Sequence, residues 1–149
     1  MYDRILLSTD GTAASDAAES HAISLAAAHG AVLHAPYVVD EDVVTAYSGD
    51  EYVDESEGPE HGLEERGEET LAAVQDAAAE SGVEVVTAMR HGDPAESIVT
   101  YADEVDANML ILGTKRRPKE YRTLLGSVTD RVLRLTTRPA AVVKTEVEA

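Results

Sequence analysis

The stretch LILGTKRRPKEYRTLLGSVTDRVL, Leu110 to Leu133, gathers the residue types that bind phosphate. Gly113 ends an apolar run and lets backbone N–H groups approach a ligand with no Cβ in the way. Gly126-Ser127 opens a helical pattern, so free N–H groups, the positive end of a helix dipole and a hydroxyl converge there. Between the glycines lie Lys115, Arg116, Arg117, Lys119 and Arg122, five of the 12 cations in the chain. A di- or triphosphate suits this chemistry. A glycine after a strand is also ordinary turn chemistry, and Gly-Ser before a helix also serves as a turn and a cap. The phosphate reading therefore depends on whether the surrounding elements bring both glycines to one edge.

Those elements can be read from the apolar pattern. Tyr2 to Thr9 carries RILLS, a short apolar run that meets a turn at Asp10-Gly11. Thr12 to His29 places Ala18, Ala22, Ile23, Leu25 and Ala26 largely on one helical face, with Gly30 as its stop. Ala31 to Val39 is β-rich. Asp40 to Glu69 is dominated by acids, and its first part, to about residue 60, reads as a solvated, mobile excursion. From about Glu60 helical spacing resumes through Leu63, Leu71, Val74 and Ala78, closed by Ser81-Gly82. Val83 to Met89 reads as a third strand. Asp93, Pro94 and Glu96 then start a helix as cap, first-turn proline and capping-box acid. Ala107 to Gly113 is apolar without alternation, as in a strand covered on both faces. Ser127 to Leu135 is a helix, with Ser127 and Asp130 at capping-box spacing, and Pro139 to Thr145 is a fifth strand.

Strands and helices alternate along the whole chain. That order predicts one α/β domain over residues 1–149, with a parallel sheet covered by helices on both faces. In such open sheets ligands bind beyond the carboxyl ends of the strands. Asp10 after strand one, Val38 to Asp40 after strand two and Gly113 after strand four all fall at such ends.

Charge and composition narrow the partners. The formal net charge is -17, from 29 acids against 12 cations, and Cys, Phe and Trp are absent. Such a field repels nucleic acid and anionic membranes, so neither is expected as a partner. Abundant carboxylates with only three lysines point to a protein that works in high salt, where the Debye length falls to about 3 Å at 1 M. The start MYDRILLSTD lacks the regions of a signal peptide. No segment approaches the roughly 20 apolar residues of a membrane span. A cytoplasmic protein is expected.

Other chemistries find little support. His21, His29, His34, His61 and His91 make no H-x3-H or H-E-x-x-H spacing, so no zinc site is expected. There is no G-x-S-x-G elbow and no G-x4-G-K-[ST] loop. A phosphoacceptor domain would want paired acids after strand one, whereas Gly11 follows Asp10 alone.

At these residues the chain resembles the universal stress protein family. The resemblance covers ILLSTDGT, LHAPYVVD, HGDPAESIVTYADEVDANMLILGT and LLGSVTDRVLRLTTRPAAVVK. The ATP-binding members carry Gly-x2-Gly-x9-Gly-Ser/Thr after strand four. Here Gly113 and Gly126-Ser127 keep the spacing, and Arg116 stands at the second glycine. If that glycine supplies a positive φ, arginine there costs about 1–2 kcal/mol. If the backbone accepts it, its guanidinium can contact phosphate.

The resemblance implies a Rossmann-like fold with sheet order 3-2-1-4-5. It places Ser8 and Asp10 at the ribose and adenine end, and Val38 at the adenine edge. It wraps Gly113, Thr114, Lys115 and Arg116 around the phosphates, with Gly126, Ser127, Val128 and Thr129 at the helix start. It implies ATP, held with Mg²⁺ or Mn²⁺, and a homodimer paired through the strand Ala140 to Lys144. The expected function is a nucleotide-gated stress-response module read by a protein partner. No general base is positioned for turnover, so no catalytic residue is assigned. The alternatives are a homodimeric stress protein of the same fold without nucleotide, and a weak ATPase.

Overall fold

Ile5, Leu6 and Leu7 are all fully buried, which a strand achieves only when both of its faces are covered. They belong to β1 (Arg4–Leu7), the central strand of a five-stranded parallel sheet. The computed structural model describes residues 2–9, 13–41, 59–116 and 127–146. Among them the chain runs β1, α1 (Ala13–His29), β2 (Val32–Asp40), α2 (Pro59–Glu80), β3 (Val85–Gly92), α3 (Pro94–Val105), β4 (Met109–Arg116), α4 (Ser127–Leu135) and β5 (Ala140–Glu146). The sheet order is β3-β2-β1-β4-β5, as the resemblance implied.

Side-chain alternation along the strands divides the core in two. Ile5 and Leu7 of β1, Leu33, Ala35, Tyr37 and Val39 of β2, and Ile111 of β4 pack on α1 and α2 through Ala18, Ala22, Ala26, Leu71, Val74 and Ala78. Leu6, Leu110 and Leu112 face the other way, onto Ala95, Ile98, Tyr101 and Ala102 of α3 and Val132 of α4. Leu6 lies in register with His34 on one side and Leu110 on the other. The three central strands therefore present an apolar layer to each pair of helices, interrupted on the α3–α4 side by the buried His34.

Local chemistry sets the boundaries. α1 stops where Gly30 takes a φ of 64°, and Ala31 N donates to Ala26 O over 2.9 Å. α3 starts as expected: Asp93 caps it by accepting from Glu96 N at 3.0 Å, and Pro94 occupies its first turn. It ends on Asp106 in the left-handed region, φ 54°, a conformation that aspartate tolerates better than most side chains.

Two strands outrun the sequence pattern. β3 continues through Arg90, His91 and Gly92 because β2 is long enough to pair with it as far as Asp40 opposite Gly92. β4 continues past Gly113 because β5 pairs with it up to Arg116 opposite Glu146. The Arg116 backbone is therefore extended strand, and the left-handed strain considered for this position does not arise. Residues 42–58, which hold most of the acidic excursion, lie outside the described residues, as do Asp10, Gly126 and most of the basic loop. Among the described residues no helix is long and apolar enough to cross a membrane.

Candidate nucleotide site

The end of β1 is pinned between its neighbours. Ser8 N donates to Ile111 O over 3.1 Å on the β4 side. Thr9 bridges Tyr37 on the β2 side, and its hydroxyl donates to Pro36 O over 3.1 Å. Beyond β1 the chain order of the sheet reverses: β2 and β3 lie to one side, β4 and β5 to the other. This is the switch point at which open α/β sheets leave a crevice for ligands.

A cavity of about 230 Å³ opens there. Its described lining comes from every layer of the fold. Ser8 and Thr9 follow β1, Tyr37, Val38 and Asp40 end β2, and Gly113 stands on β4. Leu63 of α2 closes one side, while Pro94 and Ile98 of α3 and Val128 and Thr129 of α4 close the other. The lining mixes hydroxyls with an apolar wall, and Asp40 is its one charged side chain among the described residues.

Two contacts fix the α4 wall. The hydroxyl of Thr129, the third residue of α4, donates to Gly113 O over 3.0 Å and holds the first helical turn against the middle of β4. The N–H groups of that turn have no intrahelical acceptor. Farther along α4, Arg131 Nη1 lies 2.7 Å from Asp93 Oδ1, so the residue that caps α3 also holds α4. The Glu96 N–H, and then Arg131, hold the Asp93 carboxyl below its ordinary value. Asp130, in the first turn of α4, accepts from Arg134 Nε at 2.9 Å.

Of the residues expected at a nucleotide site, Ser8, Val38, Gly113, Val128 and Thr129 come together around this cavity. Thr114 is buried, 3% exposed, and pairs in register with Lys144. Ser127 is exposed at the helix start. Lys115 and Arg116 are described only as backbone of β4, opposite Thr145 and Glu146. Asp10 and Gly126 lie outside the described residues. Sequence reasoning did not assign Thr9, Tyr37, Leu63, Pro94 or Ile98 to the site. Leu63 and Ile98 read as core positions and Pro94 as a helix start. The available signal was position: Pro94 and Ile98 lie in the first two turns of a helix that begins at the carboxyl edge of the sheet. Among the described residues, no group of three or more His, Asp or Glu side chains could hold a metal ion.

Residues 1–144 match the sequence model of the universal stress protein family. A universal stress protein of Methanocaldococcus jannaschii is 37% identical over 144 residues, which span 97% of this chain and 83% of that relative. The fold is similar to that of a hypothetical protein designated MJ0577, with a TM-score of 0.78 at 23% identity over 99% of each chain. It is also similar to the universal stress protein from Archaeoglobus fulgidus solved in complex with dAMP, with a TM-score of 0.67 at 19% identity over 96% of this chain and 98% of the other. The family match over nearly the whole length, the sheet order and the cavity at the switch point agree: this chain belongs to the universal stress protein family.

Proposed function

We propose that the protein is an ATP-binding, homodimeric stress-response module whose nucleotide occupies the cavity at the switch point. The observation that carries this reading is the meeting of Ser8, Val38, Gly113, Val128 and Thr129 around one cavity that ends at the amino terminus of α4. The complex of a fold relative with dAMP supports it. The apolar wall formed by Val38 and Ile98 suits a purine ring, and Ser8 lies at the ribose position. The free N–H groups of Ser127, Val128 and Thr129 suit phosphate. The glycine at 113, the β4 end at Thr114, Lys115 and Arg116, and Gly126 complete the phosphate side. Mg²⁺ or Mn²⁺ would arrive with the phosphates and neutralise part of their charge.

The extended backbone at Arg116 favours nucleotide binding over its loss, since no left-handed glycine is needed there. The one carboxylate among the described lining residues, Asp40, lies on β2, away from the α4 end. The module therefore binds rather than turns over, and nucleotide occupancy alters the surface around residues 114–126 that a protein partner reads. β5, paired only with β4 among the described residues, offers its open edge, Ala140 to Lys144, to a second copy.

Calorimetric titration of the full chain with ATP and Mg²⁺ in molar KCl tests the nucleotide reading. Saturable binding near one per chain is expected, lost or strongly weakened in Gly113→Val. No binding, together with no nucleotide released when the purified protein is denatured, overturns it. Sedimentation equilibrium tests the dimer: a two-chain species is expected, and a monomer at every accessible concentration overturns that part.

A further inference from the structure

The sheet ends in β5 on one side and in β3 on the other. β3 pairs with β2 along its whole length, from Val85 opposite Leu33 to Gly92 opposite Asp40. Leu33 N donates to Glu84 O over 2.9 Å, so the backbone groups of Glu84, Val86, Ala88 and Arg90 point toward β2. Those of Val85, Thr87 and Met89 point outward, and among the described residues no strand meets them.

Natural edge strands are blunted by a charge, a proline, a bulge or shortness. β3 is eight residues long, and its first five, Val85 to Met89, carry no charge and no proline. Its register with β2 runs without a bulge, and Val86 is 42% exposed. Charge stands only at the flanks. Glu84, exposed just before the strand, makes no ion pair among the described residues. Arg90, near the other end, meets Glu104 at 2.9 Å and lies over the Tyr101 ring at 5.2 Å, with its side chain still 45% exposed.

An acid at one flank and a cation at the other make this edge complementary to itself. In an antiparallel pair of two copies related by a two-fold axis at Thr87, Val85 of one copy faces Met89 of the other through the outward backbone groups. Glu84 of each copy then stands opposite Arg90 of the other. These are the non-hydrogen-bonded positions, where Cα atoms approach to about 4.5 Å and opposite charges attract most directly. An axis at Val85, Val86, Ala88 or Met89 leaves both charges without an opposite partner. Val86 comes to lie opposite Ala88, which covers its exposed side chain. A hollow of about 320 Å³ beside Arg90, Thr100, Tyr101 and Glu104 leaves room for the incoming carboxylate.

We infer that the β3 edge is a self-pairing surface that takes a second copy of this chain as an antiparallel strand, in the register set by Glu84 and Arg90. It is separate from the β5 edge and from the cavity, and depends on neither. With both edges used, β3 pairing joins two-chain species into larger ones as concentration rises.

The chain has no cysteine, so one introduced thiol reports one distance. In this register the Thr87 Cα atoms of the two copies lie about 5.5 Å apart, within disulfide reach. The two Val85 positions are offset by four residues, roughly 14 Å. The test is mild oxidation in molar KCl, where repulsion between chains of net charge -17 is screened within about 3 Å. Thr87→Cys is expected to form a disulfide-linked pair, and Val85→Cys to stay unlinked. Linking of neither, or of both to the same extent, overturns the inference.

Charge reversal tests the same contact without a thiol. Glu84→Arg and Arg90→Glu each set like charges across the two-fold axis. Each should weaken the association beyond two chains by at least about threefold in sedimentation equilibrium. Mixed in equal amounts, the two variants place opposite charges at both positions, and the association should recover. A misfolded variant would not be rescued by mixing, so recovery reports the contact itself. A mixture no better than either variant alone overturns the pairing.

Discussion

The hydroxyl of Thr129 and the carbonyl of Gly113 meet at 3.0 Å, joining the first turn of α4 to the middle of β4. Both residues line that cavity. The bond fixes where the free N–H groups of α4 point, because the helix start cannot move without breaking it. Thr129 is 8% exposed, so losing the hydroxyl leaves a carbonyl with one fewer partner in a nearly dry setting.

Thr129→Val keeps the shape and removes the bond. It is expected to cost about 1 kcal/mol of stability, measured by urea unfolding. It should also weaken ATP binding more than that stability loss explains, because the phosphate end of the site loses its fixed position. A variant with wild-type affinity would show that α4 is held by its packing alone.

Asp93 links the two helices on the same side of the sheet. It accepts from Glu96 N at 3.0 Å and from Arg131 Nη1 at 2.7 Å. Asp93→Ala removes both contacts and is expected to cost about 1–2 kcal/mol, mostly as a lost cap. The Glu96 N–H, then Arg131, hold this carboxyl below its ordinary 3.8, so its contribution is complete at neutral pH. That contribution is lost only as the pH falls below 3.8 and through the lowered folded value. The stability difference between wild type and Asp93→Ala should therefore be flat from pH 5 to 8, within about 0.5 kcal/mol, and narrow only in acid. A difference that changes across the neutral range would contradict this assignment.

Gly67 on α2 sits where a Cβ would lie 2.6 Å from Tyr37 Cδ1 and 2.7 Å from Met89 Cε. Met89 can yield, but Tyr37 is buried and forms part of the cavity wall. Gly67→Ala gains about 1 kcal/mol of helix propensity and loses about 1–3 kcal/mol to overpacking. The net should be destabilising, and the displaced Tyr37 ring should weaken ligand binding. Gly62, on the same helix, has nothing within 4 Å of its would-be Cβ, so Gly62→Ala should stabilise by up to about 1 kcal/mol. Thermal melts of the two variants should therefore shift in opposite directions, and a common direction would refute the argument.

The sequence pattern revealed the layers more readily than the walls of the site. Buried strands such as RILL and MLIL are apolar without alternation, and helices such as Pro94 to Val105 carry caps, so their types can be read locally. Strand ends could not be read this way. Nothing local marks His91 or Arg116 as strand, because their pairing comes from the lengths of β2 and β5. The glycine motif indicated which edge of the sheet binds. Leu63, Tyr37 and Ile98 read as core because each does pack in the core, and only the assembled fold shows that their ends also face the cavity. Gly67 carried no signal at all, since its role lies in the Tyr37 ring that it leaves room for.

His34 provides a test on the opposite half of β2. It is 9% exposed, packs edge-on against Tyr101 at 6.3 Å, and its Nδ1 has no hydrogen-bond partner. Burial, and secondarily the nearby Arg4, hold its pKa below the ordinary 6.5, with Glu84 opposing. The unfolded chain therefore takes up a proton at higher pH than the folded one. Stability should be full above 6.5 and decline as the pH falls from there toward the lowered folded value. His34→Leu removes the titrating group and the unpaired nitrogen together, at similar volume. Its urea midpoint should exceed that of the wild type at pH 5.5 by more than at pH 8, because only the wild type pays for the buried ring on acidification. Parallel pH profiles for the two proteins would mean that His34 titrates alike in both states, and that its burial is relieved by water reaching Nδ1.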